Sequence, residues 1–131
     1  MHLISDFCNR LNQSSKIRAK RSIIKNCKLV CESCFLLFKL GYILYFIIRD
    51  FKFLLIYLKY SLNGSVIRGL FSLSKPSLKF FLKHKKIIKF SFNNFFGLIG
   101  FMALSTNKGK IMLDFECISN SLGGKPLWVV Y

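Results

Sequence analysis

The chain has 131 residues, of which 53% are apolar, enough for one domain or two small lobes sharing a core. Its 21 Lys plus Arg face only 5 Asp plus Glu, giving a formal charge of +16. That excess cannot be neutralised within the protein. It argues against an enzyme for a small substrate and calls for an anionic partner, either nucleic acid phosphate or an anionic membrane.

The basic residues are spread out, eight before Leu40, five between Gly41 and Pro76 and eight after it, so several faces should be cationic. There are 15 Phe, and Ala occurs only at Ala19 and Ala103. AT-rich genomes over-supply Phe, Ile, Lys and Asn, so the composition points to an organellar or endosymbiont gene. The N-terminus has no basic start followed by an apolar core, which excludes a secretory signal. Asp6 and the late basic residues make it a poor mitochondrial presequence.

In chain order, Ile4, Phe7, Cys8 and Leu11 stand at helical spacing and predict a short amphipathic helix over Ile4–Gln13. "SSKIRAKRS" reads as a basic loop, with Lys16, Arg18, Lys20 and Arg21 as a phosphate-contacting arm. Asn26 is placed to cap a second helix, with Leu29, Val30, Ser33, Leu36 and Leu37 inward and Gly41 at its end. Tyr42–Ile48 and Lys52–Tyr60 read as strands around "RD". The Asn63–Gly64 pair predicts a hairpin that returns Ser65–Leu73 as a third strand. The first lobe is then two helices on a three-stranded sheet, residues 1–73.

"SKPS" breaks the chain and opens a second, β-rich lobe over residues 74–131. "SLKFFLKHKK" alternates, so a half-buried strand would carry Lys79, Phe81, Lys83 and Lys85 on one face. A helix or turn follows around Ile87–Asn94. Phe101–Leu104 and Ile111–Leu113 read as strands on either side of "STNKG". Glu116–Ser121 is a loop or helical turn, "LGG" a further turn, and "PLWVVY" a final strand. The fold class is α+β.

The stretch "FLLFKLGYILYFIIRDFKFLLIYLKY" is too often interrupted by charge for a spanning helix and reads as buried strands. The Phe-rich runs still keep open a second function class, a small cationic membrane-associated protein. No motif for nucleotide binding, metalloprotease chemistry or a serine nucleophile occurs, so no enzyme is expected. The five cysteines suggest no paired framework, and "CKLVCESC" lacks partners for a zinc site. They read as packing residues, and no metal or cofactor is expected.

"ISDFCNRLNQ", the helix ending in "GYI", "SKPSLKFF", "LSTNKGKIMLDFE" and "LGGKPLWVVY" together resemble the bacterial-type ribosomal protein S8 family. The likeness runs over essentially the whole chain. It implies a non-catalytic protein with an α/β N-terminal lobe and a β-rich C-terminal lobe. It implies binding to the central domain of small-subunit ribosomal RNA, beside neighbouring ribosomal proteins. The family's main RNA-contacting loop maps onto Ser105, Thr106, Asn107, Lys108 and Gly109. The lobe boundary maps onto Lys75 and Pro76, and the turn glycines onto Gly123 and Gly124. Ser77, Asn107, an added Lys110, Lys125 and Val129 depart from the family pattern, and Lys125 adds phosphate attraction. The family-like sequence starts near Ile4, which favours synthesis inside an organelle, with a mitochondrion expected ahead of a plastid.

Overall fold

A computed structural model describes residues 2–73, 81–93 and 100–131. Helix α1 (His2–Lys16) buries Ile4, Phe7, Cys8 and Leu11, the stripe that its spacing predicts, and runs past Gln13 to Lys16. Strand β1 (Arg21–Lys25) follows, and its first two residues fall in the stretch expected as a loop. Its outward residues are Arg21, Ile23 and Lys25, and its inward pair is Ser22 and Ile24. With a serine on the inner face, the period of two is hard to read.

Helix α2 (Lys28–Leu40) buries Val30, Ser33, Cys34, Leu36 and Leu37, while Leu29 turns outward. Its N-cap is Cys27, not Asn26: the Cys27 Sγ accepts from the Val30 N–H at 3.5 Å. The Asn26 amide instead donates to the Phe51 carbonyl at 3.2 Å, tying β1 to the next hairpin. Gly41 ends α2 at φ 86, a left-handed cap that suits glycine.

Strands β2 (Ile43–Arg49) and β3 (Phe53–Leu58) join through a three-residue turn, Asp50 to Lys52, in which Asp50 and Phe51 both stand at positive φ. The sheet order is β1-β3-β2, all antiparallel. The three-stranded sheet under two helices therefore exists, but β1 supplies its third strand, not Ser65–Leu73. Nor is β2 a buried strand. It lies at the sheet edge, and Leu44, Tyr45, Ile47 and Ile48 are exposed.

The Asn63–Gly64 hairpin forms, but only as β4 (Tyr60–Ser61) against β5 (Gly64–Ser65). The chain is then drawn away, because the Arg68 and Gly69 N–H groups both donate to the Tyr131 carbonyl. Strand β6 (Leu70–Ser72) consequently joins a second sheet and pairs with β9 (Gly124–Val130). That sheet also holds β7 (Phe101–Thr106) and β8 (Ile111–Leu113), in the order β6-β9-β7-β8.

The expected lysine-faced strand does not form among its described residues. Leu82 makes a single bridge to Gly124, and helix α3 (His84–Asn93) starts two residues later. The alternation stops because Ile87 is fully buried and Phe90 packs beside the same cluster, a helical spacing. A short helix α4 (Asp114–Ser119) covers part of the span expected as a loop or helical turn.

The four-stranded sheet is lined on both faces. Ala103, Trp128 and Val130 join α1, α2 and the inner face of the first sheet in the main core. Met102, Leu104 and Val129 meet Ile87 of α3 and Cys117 of α4 in a smaller one. The Trp128 indole N–H donates to the Ser33 hydroxyl at 3.0 Å, and that hydroxyl donates to the Leu29 carbonyl at 2.8 Å. Both helix and sheet are pinned by one buried polar chain.

A second pin joins α1 to β6. The Asn12 side chain accepts from the Leu70 N–H at 2.9 Å and donates to the Leu70 carbonyl at 2.5 Å, standing in for a neighbouring strand. Asn12→Ala leaves both backbone groups without this partner, so it should cost roughly 2 kcal/mol. Urea unfolding should show this as a lower midpoint at unchanged slope.

The five cysteines are free thiols. Burial pushes the Cys8 thiol up to about 12 and raises Cys34 as well. Cys117 is pushed up to about 11 by burial, with Asp114 and Glu116 adding to the effect. At neutral pH these three are uncharged packing groups. Among the described residues no helix is long and apolar enough to cross a membrane.

Candidate nucleic-acid interface

The polar cluster between β7 and β8 is half strand and half turn. Ser105 and Thr106 end β7, and Asn107 and Lys108 form the exposed tip. Thr106 is only 6% exposed. Its N–H and its hydroxyl both donate to the Lys110 carbonyl, at 3.3 and 3.0 Å. The Gly109 N–H donates back to the Thr106 carbonyl at 3.3 Å. Thr106 therefore shapes the turn, while Ser105 and Asn107 are left to present polar groups outward. Lys110 supplies the carbonyl on which the turn closes. Gly109 sits at φ +77 with nothing within 4 Å of a would-be Cβ, so conformation, not space, calls for glycine there.

Gly123 and Gly124 answer to space. A Cβ on Gly123 would lie 2.6 Å from the Leu82 carbonyl oxygen, and one on Gly124 would lie 2.5 Å from that of Ser105. Bare backbone lets three segments close together. Gly124 and Leu82 exchange N–H to carbonyl bonds at 2.9 Å each way. Thr106 faces Gly124, and Ser105 faces Lys125, across the β7–β9 ladder.

The outcome is an open groove of about 820 Å³ lined by residues 81–85, 105–107 and 123–125. Lys83, Lys85 and Lys125 bring three positive charges to it, and none of its described lining residues is acidic. Lysines set around hydroxyls, an amide and exposed peptide groups suit a polyanion whose sugars and bases also offer hydrogen bonds.

Of the expected site residues, this groove unites Ser105, Thr106, Asn107, Lys83, Lys85 and Lys125. Lys108 and Gly109 stand beyond it on the turn. Lys16, Arg18, Lys20 and Arg21 belong to another part of the chain, the end of α1 and the start of β1. Lys75, Pro76 and Lys79 lie outside the described residues. Phe81, Leu82 and His84 also line the groove, and none of them was assigned an RNA contact from sequence. Phe81 is 75% exposed, an aromatic ring held in water beside lysines, which is the arrangement for stacking on a base. An aromatic inside a basic run was the available signal.

The family model for ribosomal protein S8 matches residues 2–131. The chain belongs to the ribosomal protein S8 family. That family is structural and non-enzymatic. Similar S8 relatives include small ribosomal subunit protein uS8m of Acanthamoeba castellanii, 37% identical over 127 residues, covering 97% of each chain. Another is uS8 of Phytoplasma mali, 31% identical over 98% of this chain and 95% of the relative. A third is uS8c of Euglena gracilis, 30% identical over 98% of this chain and 96% of the relative. Val129, expected to depart from the family pattern, is wholly buried in the smaller core and does not line the groove.

Proposed function

We propose that this chain is a structural constituent of the small subunit of an organellar ribosome. It holds the central domain of the small-subunit ribosomal RNA in the groove between residues 81–85, 105–107 and 123–125. The observation that carries this reading is the convergence of Ser105, Asn107 and three lysines from three separate segments on one groove, with no carboxylate among its described lining residues. Lys83, Lys85 and Lys125 attract phosphates and supply a salt-sensitive share of affinity. Ser105 and Asn107 meet base edges and 2′-hydroxyls, and Phe81 offers a stacking surface. Gly123 and Gly124 let the three segments that wall the groove close on one another.

The names uS8m and uS8c among the relatives support an organelle, and a mitochondrion is the assignment we put to the test. Organelle fractionation should place the protein with mitochondrial small subunits. Co-migration with plastid subunits would reverse that assignment.

The site is tested by two pairs of substitutions. Ser105→Ala with Asn107→Ala, leaving Thr106 to close the turn, should weaken binding to a central-domain transcript about tenfold. Binding to an unrelated RNA of equal length should change less than about twofold, because phosphate contacts remain. Lys83→Gln with Lys85→Gln should instead weaken both alike and reduce the salt slope by about one for each lysine. Equal losses on both RNAs for the first pair would end the idea that the loop reads its target.

A further inference from the structure

We infer that the free edge of β2 receives a strand of another small-subunit protein, a largely apolar extended segment that continues the first sheet. This rests on the reading of the chain as a constituent of a small ribosomal subunit, but uses none of the RNA-groove residues.

The register fixes which backbone groups of β2 are free. On its far side β3 bonds to β1 through its even-numbered residues and the adjoining Lys52. The Leu58 N–H donates to the Lys20 carbonyl at 3.1 Å, and the Asn26 N–H donates to the Lys52 carbonyl at 2.8 Å. Backbone groups alternate sides along a strand, so β3 turns those of Phe53, Leu55 and Tyr57 toward β2. Their partners there are Arg49, Ile47 and Tyr45. Phe46 and Ile48 therefore aim their N–H and carbonyl groups away from β3, and among the described residues no strand meets them.

An open strand edge invites pairing, and proteins blunt such edges with charge, proline, shortness or cover. The opposite edge of this sheet is blunted. Strand β1 has five residues, turns Arg21 and Lys25 outward, and has the Arg10 guanidinium donating to its Ile23 carbonyl at 3.4 Å. Strand β2 has seven residues, no proline and no charge before Arg49. Its one irregularity lies at its start, between Ile43 and Tyr45.

A cavity beside that edge tells what kind of chain fits. It measures about 740 Å³ and lies between α2, β2, β8 and α4, with Phe35, Phe46 and Met112 in its apolar lining. Glu32 and Glu116 balance Lys39 and Lys110 around it, whereas the described charges of the RNA groove are all positive. A neutral, apolar cleft offers a polyphosphate little and suits the side chains of a protein strand. A strand laid along β2 would turn alternate side chains toward α2 and this cleft, and the others toward the exposed Tyr45 and Ile47. A second copy of this chain is a poor occupant, because two chains of charge +16 repel one another. Strand β8 borders the same cleft and is also a sheet edge, but its three residues offer a shorter register than β2.

Hydrogen exchange, read residue by residue, tests this in the free chain and in intact small subunits. The Phe46 and Ile48 amides should exchange fast in the free chain and at least about a hundredfold more slowly in the subunit. The Tyr45 and Ile47 amides, already bonded to β3, should be slowed in both. Equal rates at Phe46 and Ile48 in the two samples would overturn the proposal. Ile47→benzoylphenylalanine, a photoreactive variant, should join the chain within the subunit to an extended apolar segment of another protein. A crosslink to ribosomal RNA, or to a second copy of this chain, would overturn it too. Ile48→Pro removes one outward donor and leaves the β3 ladder whole. It should keep the thermal midpoint within about 3 °C and RNA affinity within about twofold, yet lower the crosslink from residue 47 about tenfold. An undiminished crosslink would count against strand pairing. Failure of the parent reading looks different, since the wild-type chain would then be absent from small subunits altogether.

Discussion

Gly124→Ala is expected to cost about 3 kcal/mol of stability and most of the affinity for the RNA. The new methyl would sit 2.5 Å from the Ser105 carbonyl oxygen and 3.1 Å from its carbonyl carbon, both backbone atoms that no rotamer change can move. Overpacking of this kind is relieved only by shifting strands. The strands in question are β7 and β9, and the shift would part Ser105 from Lys125 and loosen the Leu82–Gly124 exchange, undoing three walls of the groove at once. Gly109→Ala provides the contrast. It meets no atom within 4 Å and pays only for its φ of +77, roughly 1 kcal/mol, with the groove intact. Urea midpoints with RNA titrations on both variants decide the matter. Equal, small effects would mean that the backbones do not approach so closely.

Trp128→Ala should be the most damaging single truncation, at about 3–5 kcal/mol. The indole is fully buried at the join of α1, α2 and both sheets, and its N–H is satisfied by Ser33. Ser33→Ala keeps the ring but strands a buried donor, for about 1–3 kcal/mol. Trp128→Phe removes the donor and part of the ring. If the hydrogen bond matters as such, Ser33→Ala should cost less in the Trp128→Phe background than in the wild type. Strict additivity in that cycle would show that the ring's volume alone carries the effect.

Much of what is settled within a dozen residues was legible from sequence, although the Cys27 cap and the start of α3 at His84 were not. The Ile4, Phe7, Cys8 and Leu11 stripe, the Gly41 stop and the "RD" reversal are local and hold. Strand β1 was hidden because Ser22 takes an inward place where an apolar residue would have announced it. The wrong third strand has a non-local cause: Leu70–Ser72 is claimed by β9, and nothing near residue 70 reveals the pull of the Tyr131 carbonyl. The same holds for the candidate site. "STNKG" stands out as a polar cluster between apolar runs. That Leu82 and Gly124 would lock together and bring Phe81, His84 and the lysines beside it depends on a contact between segments some forty residues apart.

The position of β9 bears on how the protein is made. It pairs with β6 and β7, contributes to both hydrophobic clusters and forms one wall of the groove, yet it is the last of these strands to be translated. Until it emerges from the exit tunnel, Leu70 lacks its pairing strand and α2 lacks the indole that anchors Ser33. The nascent chain must wait, with its apolar surfaces uncovered, for the residues that will also touch its RNA. Completion of the fold and completion of the binding surface are thus one late event, and a partly synthesised chain offers RNA no finished groove.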